Sequence, residues 1–433
     1  MLRAGVRRRE VLGWAFFDFA NSGYTTVVIT AVFNAYFVGV IAAGKPWATF
    51  GWTAALAVAS LIAAALAPVL GAWADRRGAR KSVLLGSTIG CVAATGLLAF
   101  TGPDTLVMAI CLVVLSNVCF GIGEALIASF LPDLAEPHAL GKVSGWGWGL
   151  GYFGGMLTLG LSLAWLLSAP DRGLTVTQAV PDTMLITAIV FAVASIPTFL
   201  LLRERKAVDS SLRADDSGVS ILSRLAVSLA ELRNFPDLRQ LLACTVLYQS
   251  GIAVVIALAA VYATQQMGFS QTDTMALIFA VNIASAAGAF AFGPFQDRVG
   301  HRRALAITLV GWLAMTLLAG IGESRSSFWV AAALAGLCMG ASQSCARAMV
   351  GLLAPPDRSA EFFGLWSLAV RIASIIGPLG YGAVTWVTDG QHRVALLSTG
   401  LFFVLALVWL RGLDIDRGRQ LALGGGCAPV KKH

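Results

Sequence analysis

Charge is scarce in this chain. Of 433 residues only 12% are Asp, Glu, Lys or Arg, roughly half the fraction usual in soluble proteins. That shortage excludes an ordinary cytosolic enzyme, a nucleic-acid-binding domain and a disordered chain. Histidine is scarcer still: His138, His301, His392 and His433 lie far apart, in loops or the tail, and form no metal-ligand cluster. Of the seven cysteines (Cys91, Cys111, Cys119, Cys244, Cys338, Cys345 and Cys427), none forms a CxxC or similar spacing. Six fall inside apolar runs, where a thiol is small apolar filler. No metal and no bound cofactor are expected, and no nucleic-acid partner. No nucleotide-binding loop is present, so ATP is not the expected energy source. The basic start (Arg3, Arg7, Arg8, Arg9) leads into a long apolar run without a small-residue cleavage site, which reads as a first membrane span rather than a removable leader.

Hydrophobic residues take the place of charge, at 57% of the chain. Apolar runs fall at about 11–41, 51–74, 82–101, 104–131, 143–167, 183–202, 238–264, 273–296, 304–322, 327–352, 362–387 and 394–411. Each can cross a bilayer, which takes ~20 residues, and each should be a helix, because only helices satisfy all backbone polar groups within the segment. The first and fourth are longer and contain acids, so bends are expected there. Spans 3, 6, 9 and 12 carry no deeply placed charge, as suits lipid-facing outer helices. With the N-terminus placed inside, 25 of the 31 Lys and Arg lie on that side and four on the other, with Arg347 and Arg371 inside spans. This asymmetry predicts that both termini are cytoplasmic, in the inner or plasma membrane of a cell.

The two halves of the chain repeat one another. Gly71-Ala-Trp-Ala-Asp75-Arg76-Arg77-Gly78-Ala-Arg80-Lys81 joins spans 2 and 3, and Gly293-Pro-Phe-Gln-Asp297-Arg298-Val-Gly300-His-Arg302-Arg303 joins spans 8 and 9. Both read G-x-x-x-D-R-x-G-x-[RK]-[RK]. The expected organisation is an N-terminal six-helix bundle over 1–202, a cytoplasmic linker over 203–237, and a C-terminal six-helix bundle with tail over 238–433. Such a parallel repeat is characteristic of one large transporter class. In the linker, Arg203-Glu204-Arg205-Lys206 and a polar stretch with Asp215-Asp216 precede Ile221, Leu222, Leu225, Leu229 and Leu232. Their helical spacing predicts a short amphipathic helix on the inner membrane surface.

The duplicated loop resembles the signature loop of the major facilitator superfamily, and the resemblance covers nearly the whole chain. Three further places resemble its vacuolar-effluxer branch, named for a fungal vacuolar amino-acid exporter. They are Phe17-Asp18-Phe19-Ala20-Asn21-Ser22-Gly23-Tyr24, then Leu131-Pro132-Asp133-Leu134-Ala135 with the Gly-rich Ser144–Gly155, and Ala360-Glu361-Phe362-Phe363-Gly364 running on to Gly377-Pro378. Phe19 and Arg371 stand where that family usually has Trp and Lys. The resemblance implies an all-α integral membrane protein of twelve transmembrane helices in two pseudo-symmetric six-helix bundles, the major facilitator fold. It also implies that Asp75 meets the start of span 11, and Asp297 the start of span 5, when an inner gate is shut. Gly71 and Gly293 remove side chains where helices cross closely, and a carboxylate facing a helix N-terminus is favourable by ~0.3–1 kcal/mol. The Arg residues of the loops serve as gate partners and topology anchors, or as anchors only.

Four charged residues lie well inside spans: Asp18, Glu124, Arg347 and Arg371. At ~1.5 Å per residue all four sit ~12–15 Å from the inner edge of a ~30 Å core. Each costs ~2.5–3.5 kcal/mol at mid-membrane, so pairing or hydration is expected. The acids belong to the first half and the bases to the second. Each lies on a polar or small stripe, with Asn21 and Ser22 beside Asp18 and with Gly340 and Gln343 beside Arg347. One reading is a cavity wall in which the Arg pair binds an anionic group and a carboxylate, Asp18 or Glu124, carries a proton. The other is a set of ion pairs locking the halves. In span 5, Gly147/Gly151 and Gly151/Gly155 are small-xxx-small pairs that predict close helix packing. Tyr152 stands where the superfamily's antiporter motif would have Pro, and Gly377-Pro378 predicts a bend in span 11.

The expected function is secondary active transport by alternating access, without covalent chemistry, working as a monomer. The substrate is a small polar organic solute, amino-acid-like and anionic or zwitterionic, coupled to protons and moved outward. A facilitative carrier or a carrier of another solute (drug, sugar, lipid-like) of the same fold is the alternative, followed by a transport-inactive receptor or scaffold.

Overall fold

A computed structural model describes residues 1–205, 221–265 and 267–424. The linker stretch with Asp215 and Asp216, and the tail with Cys427 and His433, lie outside them. Among the described residues twelve helices are long and apolar enough to cross a bilayer. Spans 1 to 6 are Arg8–Ile41, Ala48–Arg77, Arg80–Phe100, Pro103–Leu134, Pro137–Leu167 and Thr177–Leu201. Spans 7 to 12 are Pro236–Ala257, Ala276–Val299, His301–Ile321, Arg325–Leu353, Pro356–Val387 and His392–Leu410. No strand occurs among the described residues, only an isolated bridge between Leu2 and Ala135.

Spans 1 and 4 are irregular, as expected, at places away from Asp18 and Glu124 themselves. Span 1 is regular α-helix over Arg8–Tyr24, through Asp18, and then turns π-helical over Thr25–Ala31 and Phe37–Ile41. Span 4 is regular through Glu124 and breaks only after Ala128, before the short helix Leu131–Leu134. Span 11 runs unbroken from Ser359 to Val387 with Pro378 inside it. Gly377 there packs on the Ser250 carbonyl of span 7, leaving no room for a side chain. Span 2 ends where Gly78 takes a left-handed conformation, φ +59°, as helix C-termini commonly do.

Neighbour relations repeat between the halves. Span 1 packs on spans 5 and 6, span 4 on spans 2 and 3, and span 3 on span 6. Span 7 likewise packs on 11 and 12, span 10 on 8 and 9, and span 9 on 12. The halves meet through two equivalent pairs, span 2 with 11 and span 8 with 5, flanked by 5 with 10 and 11 with 4. Large apolar side chains such as Ile89, Val193, Val310 and Leu401 point outward from spans 3, 6, 9 and 12, as a lipid-facing ring requires.

Span 5 shows what its glycines are for. Gly141 and Gly145 press on Gly293 and Ala289 of span 8, and Gly149 on the Phe290 ring, whereas Gly147, Gly151 and Gly155 face Asp18, Ser22 and Thr26 of span 1. One helix thus packs closely on both halves, as small residues at four-residue spacing allow. The helix Ile221–Glu231 follows the amphipathic spacing of the linker and packs against span 2.

Candidate substrate and gating site

The four charges of the apolar spans form two pairs, each joining the halves. Arg347 Nη1 of span 10 donates to Asp18 Oδ2 of span 1 at 2.7 Å. Its Nε donates to Ser144 Oγ (3.1 Å) and its Nη2 to the Ser144 carbonyl (2.8 Å). The guanidinium lies 4.6 Å from the Trp14 ring centre and 5.4 Å from that of Trp148, within cation–π range. Trp14 is itself fixed by donating from Nε1 to the Ile127 carbonyl at 2.7 Å.

The second pair is looser. Arg371 Nη2 of span 11 stands 4.0 Å from Glu124 Oε2 of span 4. Its Nη1 donates weakly to Ser60 Oγ of span 2 (3.5 Å), and its buried Nε has no hydrogen-bond partner. The guanidinium lies directly against Gly121. The Glu124 side chain is 34% exposed and within electrostatic reach of Asp18 and Arg347. Asn21 Oδ1 is buried without a partner, while Gln343 accepts from Gln249 Nε2 at 2.8 Å.

The duplicated loops bring the halves together on the face that carries Met1 and the helix Ile415–Ala422. The N–H of Glu361, in the first turn of span 11, donates to Asp75 Oδ2 at 2.9 Å. The N–H groups of Gly141 and Lys142, opening span 5, donate to Asp297 Oδ1 and Oδ2 at 2.9 and 2.8 Å. Each carboxylate thus satisfies N–H groups that a helix start leaves free. A side chain at Gly71 would strike the Ala360 carbonyl, and one at Gly293 would stand 2.6 Å from the Gly141 carbonyl.

The cationic loop residues have separate surroundings. Arg80 reaches Asp133 (2.6 Å), the Ser129 carbonyl (3.1 Å) and Asp75 (3.8 Å). Glu204 accepts from the Arg80 and Lys81 N–H groups at 2.6 and 3.2 Å, capping span 3. Arg302 donates to the Leu413 carbonyl at 3.1 Å. Arg298 is exposed, Arg76 half-buried, and Gly300 has φ +94°. The linker helix also arrives here. Ser228 Oγ donates to Glu361 Oε1 at 2.5 Å, Arg358 holds both Glu361 oxygens at 2.9 and 2.8 Å, and Arg358 pairs with Glu231.

A family model described as vacuole effluxer Atg22 like matches residues 52–423. The chain belongs to this Atg22-like family. It is 26% identical over 404 residues to the uncharacterized MFS-type transporter YxiO of Bacillus subtilis, covering 92% of this chain and 93% of that one. It is 25% identical over 312 residues to autophagy-related protein 22-1 of Penicillium rubens, covering 66% of this chain but 51% of the longer fungal protein. Among solved structures, the human organic anion transporter MFSD10 matches with TM-score 0.74 at 17% identity, over 93% and 99% of the two chains. The proton:xylose symporter XylE matches with TM-score 0.71 at 14% identity, over 96% of each. The Atg22-like chain therefore has the major facilitator fold and is a multi-pass membrane protein of the transporter class.

Several residues that build this Atg22-like site carry no charge and were not singled out by the sequence. Ser144 binds Arg347, Ser60 touches Arg371, and Trp14 covers Arg347. A lone Ser or Trp in an apolar span is common, so only the partner across the interface gives it meaning. Tyr262 donates to the Ala319 carbonyl at 3.1 Å and stacks on Phe328 within the second half.

Proposed function

We propose that the protein is a proton-coupled secondary carrier that exports a small polar organic solute, amino-acid-like and anionic or zwitterionic, by alternating access. The observation that carries this is the layer of two acid–Arg pairs, each acid from spans 1–6 and each Arg from spans 7–12. Charges so deep are costly unless they serve each other or a passing ligand. Asp18, Asn21, Glu124, Gln343, Arg347 and Arg371 form the layer within which substrate and proton are held, and a carboxylate of the layer, Asp18 or Glu124, exchanges the proton. Residues 1–202 and 238–433 are the rocking bundles and 203–237 the linker between them. Both termini face the cytoplasm, as the Lys and Arg asymmetry favours, the protein works as a monomer, and the membrane is the plasma membrane.

Gly71, Asp75, Arg76, Gly78, Arg80 and their repeats Gly293, Asp297, Arg298, Gly300, Arg302 form the cytoplasmic gate. The Asp75 and Asp297 contacts with the starts of spans 11 and 5 support a shut state of that gate. The solute class rests on the two arginines of the layer, which suit an anionic group. The test is flux in proteoliposomes: L-amino acids should move saturably, with accumulation driven by a pH gradient and with counterflow in its absence. Unsaturable flux indifferent to an opposing gradient would make the protein a channel and sink the reading.

A further inference from the structure

The two arginines of the layer are not equivalent. Arg347 is 3% exposed and has its Nε, Nη1 and Nη2 all committed, to Ser144 and Asp18, with Trp14 and Trp148 near its faces. The space beside it is full: a methyl group on Gly147 would collide with the Asp18 carboxylate and stand 2.5 Å from Arg347 Nη2 and 2.8 Å from the Trp14 ring. No ligand oxygen can reach this guanidinium without first dismantling the pair. Arg371 is packed as closely, against Gly121, but its bonding is different. It is 91% buried, its Nε has no partner, its one hydrogen bond is at the 3.5 Å limit, and its counter-ion stands 4.0 Å off with a third of its side chain exposed. An Nε and Nη edge without hydrogen-bond partners is the fork that takes a carboxylate through two parallel hydrogen bonds, once Glu124 has swung aside.

Resting on the carrier reading above, we infer that Arg371 is the specificity-determining residue. It takes the substrate's carboxylate, which displaces Glu124, while Asp18–Arg347–Ser144 is a tie between the halves that does not touch substrate. A second carboxylate at Arg371 disfavours the Glu124 anion beside it. Glu124 therefore takes a proton from the aqueous side as substrate binds, which offsets the charge of the bound carboxylate; proton and substrate then cross together, and export runs down the solute's own gradient.

The experiment uses the full purified chain, with the twenty L-amino acids and their amides as probes, read by thermal shift and by calorimetry in buffers of different ionisation enthalpy. Wild type should bind an acid but not its amide and take up a proton with it. Arg371→Ala should weaken binding by about 30-fold or more, the worth of a doubly hydrogen-bonded charge, and Arg371→Lys by about tenfold. Arg347→Ala should bind within about threefold of wild type and yet lose flux. Glu124→Gln, a variant with a gain, should bind more tightly and take up no proton. The inference is overturned if Arg347→Ala loses binding as Arg371→Ala does, if Arg371→Ala binds normally, or if Glu124→Gln leaves affinity unchanged. Saturable flux of the amides equal to that of the acids overturns the carboxylate assignment and leaves the carrier standing; absence of saturable flux for every probe overturns both.

Discussion

Gly147 shows how much can depend on a missing side chain. Its Cα lies against the Asp18–Arg347 contact and the Trp14 ring, so Gly147→Ala must push the pair apart or shift span 5. Overpacking of this kind costs about 1–3 kcal/mol, and here the cost falls on a buried charge pair. The variant should melt several degrees lower and transport poorly, measured by thermal unfolding and flux on one preparation. Asp18→Asn should cost more, about 3–5 kcal/mol, because Arg347 is then buried without its counter-charge. Removing both charges in Asp18→Asn with Arg347→Gln should recover part of the melting temperature but not flux, which separates pairing from function. The presence of four deep charges was legible in the sequence because nothing else in an apolar span is so expensive. Their partners were not. The repeat relates Glu124 to Arg347 by sequence position, whereas across the interface Arg347 meets Asp18 and Arg371 meets Glu124. Pairing is a tertiary property, and the stripes on four separate helices do not encode which stripe faces which.

Among the helices, the spans were the most legible elements, since a bilayer leaves an apolar segment no alternative to helix. The amphipathic linker helix was legible as a helix but not in its docking. Sequence spacing suggested a helix lying on the membrane surface, and Ile221–Glu231 packs on span 2, with Ser228 and Glu231 engaged by Glu361 and Arg358 at the start of span 11. Glu361 thus serves twice: its N–H donates to Asp75 and its carboxylate receives Ser228 and Arg358. The linker helix is therefore tied to the same turn that closes spans 2 and 11. A hydrogen bond to a charged group is worth about 1.5–3 kcal/mol, so Ser228→Ala should loosen this helix. Amide hydrogen exchange over 221–231 should quicken by about tenfold or more, while the amides of spans 5 and 8, which the helix does not hold, exchange as before. Equal acceleration in both places would mean that the substitution destabilises the bundle as a whole.

For the whole molecule, the pseudo-symmetry has an energetic consequence. The two halves meet on the face of the duplicated loops through two equivalent contacts, Asp75 with the start of span 11 and Asp297 with the start of span 5. They use different helices and share no hydrogen-bonding partner, so their contributions to closure should add. A carboxylate that caps a helix start contributes about 1 kcal/mol. Asp75→Ala or Asp297→Ala alone should therefore raise the open-to-closed ratio of that face by about fivefold, and the double substitution by about 30-fold. Spin labels at the exposed positions His138 and Arg303, placed on spans 5 and 9, report the separation by pulsed electron resonance. The single variants should each enlarge the long-distance population and the double variant should dominate it. A double variant no more open than either single one would mean that the face is held by the glycine crossings at Gly71 and Gly293 rather than by the carboxylates. In that case Gly71→Val, which puts a side chain against the Ala360 carbonyl, is the substitution that forces the face open.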